Sequence, residues 1–123
     1  MVIQGEQRQA FGELLSKSLA QDGETDEVQL ERVKHHPLRA PMLLVCIMDY
    51  HLHAKVPKNE QTLSCGAAVQ NLLLILQAQG YASIWRTGAV AESVSLKQAL
   101  GCKEEDEIAG LLYIGTEPKE ITA

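Results

Sequence analysis

The segment Met42-Leu43-Leu44-Val45-Cys46-Ile47-Met48 is apolar at seven consecutive positions, with Pro41 before it and Asp49 after it. Successive side chains of a strand point to opposite faces, so a strand of this composition presents an apolar surface on both sides. Such a strand belongs inside a sheet covered by two layers, and the preceding Pro41 and short length favour it over a buried helix. The rest of the chain has to supply the layers. Glu6 to Ala20 carries Phe11, Leu14, Leu15 and Leu19 at helical spacing, and Gly23 follows as a left-handed stop. Thr25 or Asp26 can cap a second helix to about Lys34, and Pro37 and Pro41 bracket a turn. A long helix is expected from about Lys58 to Gln79, ended by Gly80, and a short one from Glu92 to Leu100, ended by Gly101. Val2-Ile3, Tyr81–Trp85 and Ile108–Ile114 read as the other strands, Val2-Ile3 as an edge, and the chain from Glu117 onward as frayed. The order β-α-α-β-α-β-α-β makes the fold class α/β, in the form of an α+β sandwich, with residues 1–123 as a single domain.

Charge and cysteine content narrow the class of function. Sixteen acidic residues against eleven basic ones give a net charge of −5, which disfavours a nucleic-acid or anionic-membrane surface. No apolar run approaches the ~20 residues of a membrane span, and no leader pattern opens the chain. Three cysteines without close pairing argue against a disulfide framework and for a cytoplasmic protein. The long helix holds a further clue. Leu72-Leu73-Leu74-Ile75-Leu76 is apolar on nearly every face, and Ser64-Cys65-Gly66-Ala67-Ala68 is a run of small side chains. A helix of this kind is expected to be buried all round, with one flank against a second copy in an obligate homodimer.

Candidate chemistry is sparse. His51 and His53 share one side of an extended loop, but the chain around them lacks further residues at metal-ligand spacing, so no metal is assigned. Cys46 and Cys65 read as small buried hydrophobes, and Cys102, after a helix C-terminus, is a poor thiolate. Glu104-Glu105-Asp106-Glu107 reads as a solvated turn. No G-x-G-x-x-G, P-loop or G-x-S-x-G is present. The informative stretch is Gly80-Tyr81-Ala82-Ser83-Ile84-Trp85-Arg86-Thr87-Gly88-Ala89. Its turn combines backbone N–H groups, a hydroxyl, a cation and an aromatic plane. Those suit a planar anionic cofactor, and they equally suit a core tryptophan followed by a structural turn.

From Val2 to Thr116 the chain resembles the nitroreductase family of flavoproteins, especially its small bacterial NAD(P)H nitroreductase subgroup. The resemblance rests on Val2-Ile3 with Gly5-Glu6 and Arg8, the strand after Arg39-Ala40-Pro41, Lys55-Val56-Pro57, Ala78-Gln79-Gly80, Ile84-Trp85-Arg86-Thr87-Gly88-Ala89 and Gly110-Leu111-Leu112-Tyr113-Ile114-Gly115-Thr116. It implies a mixed, largely antiparallel sheet flanked by helices, with a long buried dimer helix. It implies a homodimer or higher homo-oligomer that holds FMN between subunits and reduces nitro compounds or quinones with NAD(P)H by ping-pong hydride transfer. Trp85, Arg86, Thr87 and Gly88 would line the flavin, and Gln77, Gln79 and Gly80 would meet the nicotinamide cofactor. The hydride chemistry belongs to the flavin, so no side chain is assigned a catalytic role. Compared with the family, the chain is expected to be truncated at both ends. It lacks the Arg-Arg-Ser segment that grips the FMN phosphate, a Pro-x-x-x-x-x-Gln-Pro-Trp segment and a C-terminal tail, which leaves Arg86 as the obvious cation near the site. Loss of charge-assisted donors weakens phosphate binding. The alternative expectation is therefore a non-catalytic dimeric binding module whose vacated groove takes a small aromatic ligand or a partner peptide.

Overall fold

A computed structural model describes residues 1–116, so the fraying expected from Glu117 onward lies outside the described residues. Four strands, β1 (Val2–Gln4), β2 (Met42–Met48), β3 (Tyr81–Arg86) and β4 (Glu107–Thr116), form one sheet in the order β1-β2-β4-β3. Each neighbouring pair is antiparallel, so the sheet described is antiparallel throughout. Four helices, α1 (Gln7–Gln21), α2 (Glu27–His35), α3 (Lys58–Ala78) and α4 (Val94–Ala99), fall where the sequence periodicity puts them. The turn expected between Pro37 and Pro41 is a 3-10 helix, His36–Arg39. Asp26 caps α2 by accepting from the Val28 and Gln29 N–H groups, and Ser93 caps α4 by accepting from Leu96.

Cross-strand pairing sorts the side chains between the two faces. Leu43 pairs with Tyr113 and Val45 with Leu111, and these pack with Phe11, Leu15, Val33 and Leu96 beneath α1, α2 and α4. The helices close tightly there. A Cβ added at Gly12 on α1 would lie 2.0 Å from the Lys34 carbonyl oxygen, so the absent side chain sets how near α2 can come. The opposite face carries Leu112 and Ile114 against Val69 of α3, with Met42, Leu44 and Cys46 half-buried around them. α3 is not buried all round. Val69 is its one buried residue, and Leu63, Leu74 and Ile75 stand more than half exposed. A single copy of the chain supplies too little surface to cover so apolar a helix. Among the described residues no helix is long and apolar enough to cross a membrane.

The acidic run 104–107 also differs from the solvated turn expected of it. Asp106 is buried, accepting from the Lys103 N–H at 2.7 Å and the Tyr50 N–H at 2.9 Å. Burial pushes its carboxyl up, but those N–H donors and the Lys103 ammonium outweigh that effect and hold it below its ordinary value. Glu105 and Glu107 pair with Lys58 at the start of α3, both at 3.1 Å.

Candidate functional site

β3 ends beside a discontinuity in β4. Cys46 of β2 pairs with Gly110 and Ile47 with Ile108, leaving Ala109 without a cross-strand partner in either register. An extra residue of this kind is a β-bulge, which kinks the strand and frees a backbone group. The Trp85 Nε1–H donates to the Ala109 carbonyl at 3.0 Å. The indole lies where a side chain at Gly110 would be, since a Cβ there would sit 2.2 Å from Nε1. Gly66 of α3 forms the facing wall, its added Cβ falling 3.9 Å from Trp85 Cη2. Two glycines on two elements thus make the slot for the single tryptophan, which remains 37% exposed.

The chain leaves β3 through Thr87, Gly88 and Ala89, with Gly88 at φ +96°. Hydrogen bonds resume with the Ala91 N–H to the Gly88 carbonyl at 3.0 Å and the Glu92 N–H to the Ala89 carbonyl at 3.2 Å. Within the described residues the N–H groups of Thr87, Gly88 and Ala89 have no partner. Thr87 and Gly88 line a cavity of about 380 Å³ with Thr62, Cys65, Glu107 and Ala109, among others. Burial pushes the Cys65 thiol up, so it stays protonated and is no nucleophile. Glu92 and Glu107 also line the cavity, which disfavours a dianion and suits a neutral ring.

The structure separates residues that the sequence groups together. Trp85 pairs with Leu112 and shares the α3 face, whereas Arg86 pairs with Leu111 and lines a different cavity, with Arg39 and Tyr113. Thr87 and Gly88 stay with Trp85's face. Gln77 lines a third hollow with Gln70, Leu73 and Tyr81, at the opposite end of β3. Gln79 closes α3 by donating to Ile75 and Leu76, and Gly80 turns the chain at φ +90°. Six residues of strand put that end ~17 Å from the 87–89 turn at ~3.3 Å per residue, so the two groups do not share a cavity. His51 contacts Asp49 at 3.3 Å, while His53 Nδ1 accepts from the Lys55 N–H at 3.0 Å. Cys46 and Cys102 are half-buried like Cys65, and burial raises both thiols. Gly66, Gly110 and Ala109 escape the sequence reading. A glycine inside a strand pattern, as at Gly110, is the signal that marks a bulge or a close approach.

A helix-flanked antiparallel sheet with an open cavity at the end of β3 defines an α+β sandwich. The chain belongs to the nitroreductase family, whose model matches residues 1–116. It is 37% identical over 115 residues to YdjA of Escherichia coli (strain K12), which is named among the NAD(P)H nitroreductases, covering 94% of this chain and 62% of YdjA. A nitroreductase-like family protein from Bacillus cereus superposes with a TM-score of 0.79 at 21% identity, over 100% of this chain and 64% of that one. NfnB of Sphigopyxis sp. strain HMH, an FMN and NADPH-dependent nitroreductase, superposes with a TM-score of 0.66 at 16% identity, over 97% of this chain and 69% of its own. The chain thus spans somewhat under two thirds of YdjA.

Proposed function

We infer that the chain is an FMN-dependent oxidoreductase domain that reduces nitro compounds or quinones with NAD(P)H. One observation carries the reading: Thr87 and Gly88, whose N–H groups have no partner among the described residues, line a cavity with Ala109, the acceptor of the Trp85 indole N–H. Free backbone donors at a ring edge and an aromatic wall are what a flavin's carbonyls and ring system need. FMN supplies the hydride chemistry when bound. Trp85 offers the wall, held at a fixed depth by its hydrogen bond to Ala109. Thr87, Gly88 and Ala89 offer the donors. Gln77, Gln79 and Gly80, a strand's length from that cavity, would meet only the distal part of the nicotinamide cofactor.

The exposed face of α3 supports a homodimer. Leu63, Leu74 and Ile75 are an apolar surface of the kind that a second copy covers. Three free cysteines fit a reducing cytoplasm. The test is titration of the purified protein with FMN, read in the visible spectrum. A saturable perturbation, lost in Trp85→Ala, supports the reading, and NADPH oxidation with a nitroaromatic or quinone acceptor completes it. No spectral change at millimolar FMN overturns it in favour of a non-catalytic module.

A further inference from the structure

The chain's positive charge is unevenly spread. Of its four arginines, Arg8, Arg32, Arg39 and Arg86, the first is tied to the Gly5 and Ala40 carbonyls at 3.0 and 2.9 Å. The other three act on His36, from α2 (Arg32), the 3-10 helix (Arg39) and the end of β3 (Arg86). Arg39, Arg86 and Tyr113 line one cavity of about 340 Å³, with Ala82, Ile84 and Pro41 as its apolar wall. This cavity lies on the α1–α2–α4 side of the sheet, since Ile84 pairs with Tyr113 and Arg86 with Leu111. The sheet separates it from the Trp85 indole.

Three facts mark this cavity as a site. Arg39 and Arg86 are both exposed and stand on different elements. Among the described residues no carboxylate lies within ion-pair distance of Arg32, Arg39 or Arg86, although acids outnumber bases in the chain. The charge is also felt locally. Burial and then Arg39, Arg32 and Arg86 hold the His36 imidazole below its ordinary pKa. Like charges gathered without counter-charges cost stability, and an incoming anion offsets that cost. Guanidinium groups match planar or tetrahedral oxyanions through paired N–H donors.

We propose that the cleft between Arg39 and Arg86 binds the oxyanion of a small ligand, a carboxylate or a phosphate, with Tyr113 at its base and Ile84 and Pro41 against the ligand's apolar body. The proposal does not rest on the flavin reading, because its cavity is on the other face of the sheet.

The test is a ¹⁵N-amide NMR titration of the intact protein with inorganic phosphate and, separately, with sodium benzoate, each against sodium chloride at matched ionic strength. Saturable shifts at Ala82, Arg86, Tyr113 and Gly115 are expected with one probe or both. Phosphate alone would assign a phosphate ligand, and tighter benzoate binding a carboxylate with an apolar body. Arg39→Gln should weaken the binding at least tenfold, Arg39→Lys should weaken it less, and Lys55→Gln, a cation outside the cleft, should leave it unchanged. The amide dispersion of each variant reports that it is folded. Shifts that match those of chloride overturn the proposal. So do shifts confined to Gly66 and Thr87–Ala89, which would place the anion in the other cavity, and so does binding that survives Arg39→Gln.

Discussion

Beneath α1, α2 and α4, Leu15, Leu43, Val33 and Leu96 are each at most 1% exposed, whereas across the sheet Leu63, Leu74 and Ile75 of α3 are 72%, 54% and 53% exposed. Both faces are equally apolar in sequence. What differs is that the first is closed by three helices of the same chain, and the second by one helix that covers part of the sheet. The closed face supplies the cohesion of the fold. The open face holds the Trp85 slot, the free N–H groups and the unpartnered helix. The proposed flavin site and the proposed dimer contact both fall where intramolecular packing stops.

The largest effects that test this contrast fall on the closed face. Leu43→Ala should cost about 2–5 kcal/mol, because a fully buried leucine leaves a cavity that its neighbours cannot fill. Leu74→Ala should cost the fold less than about 0.5 kcal/mol, as an exposed position does. Urea denaturation of the two variants under dissociating conditions measures both, and equal losses would end the distinction. Leu74→Asp is the complement: sedimentation should move from two copies towards one while the far-ultraviolet dichroism stays intact.

Glycines sharpen the contrast at a smaller scale. Gly12→Ala forces a methyl group to within 2.0 Å of the Lys34 carbonyl oxygen, a backbone atom that can yield only if α1 and α2 separate. A loss of about 1–3 kcal/mol is expected, typical of overpacking. Gly66→Ala on α3 meets nothing closer than 3.9 Å. It should be neutral or stabilising by up to ~1 kcal/mol, through helix propensity. Thermal melts of the pair would settle the comparison, and a destabilised Gly66→Ala would mean that the slot is tighter than its distances indicate.

Gly110→Ala tests the open face at the proposed flavin site. The new methyl group would collide with Trp85 Nε1 and drive the indole off the Ala109 carbonyl. The emission of this single tryptophan should shift to longer wavelength as it enters water, and FMN affinity should fall about tenfold, the equivalent of ~1.4 kcal/mol. Unchanged emission would show that the slot tolerates the methyl group. Changed emission with unchanged affinity would remove Trp85 from the flavin site.

Local signals made the elements legible. Helix periodicity, the Asp26 and Ser93 caps, the glycine stops and the apolar β2 run are written in neighbouring residues, and each element lies within a few positions of its expectation. The site was legible only as a segment. Trp85, Arg86, Thr87 and Gly88 are contiguous, yet strand alternation turns Arg86 away from Trp85, and pairing to β4 decides which neighbours each one meets. Ala109, Gly110 and Gly66 join Trp85 only through tertiary contacts, as Arg39 joins Arg86. The expectation that a second copy covers one flank of α3 came from its apolarity, and in the single chain Leu63, Leu74 and Ile75 stand exposed.

Asp106 gives the smallest expected effect and comes from the same limitation, since its run of acids reads as solvated while its contacts come from 103 and, far away in sequence, from Tyr50. Its carboxyl is held below its ordinary value of 3.8. A depressed folded-state pKa contributes stability that is fully present above the unfolded value and disappears as pH falls through the folded one. Asp106→Asn keeps one acceptor oxygen but loses the second and the charge that faces Lys103. The variant should melt below the wild type at pH 7. The gap should begin to narrow near pH 3.8 and close at lower pH, where the native carboxyl is itself protonated. Melting curves at pH 7, 4 and 3 give the answer. A gap that persists unchanged at pH 3 would assign the loss to hydrogen-bond geometry alone, and a gap absent at pH 7 would mean that the 49–50 loop and the 103–106 turn hold together without this carboxylate.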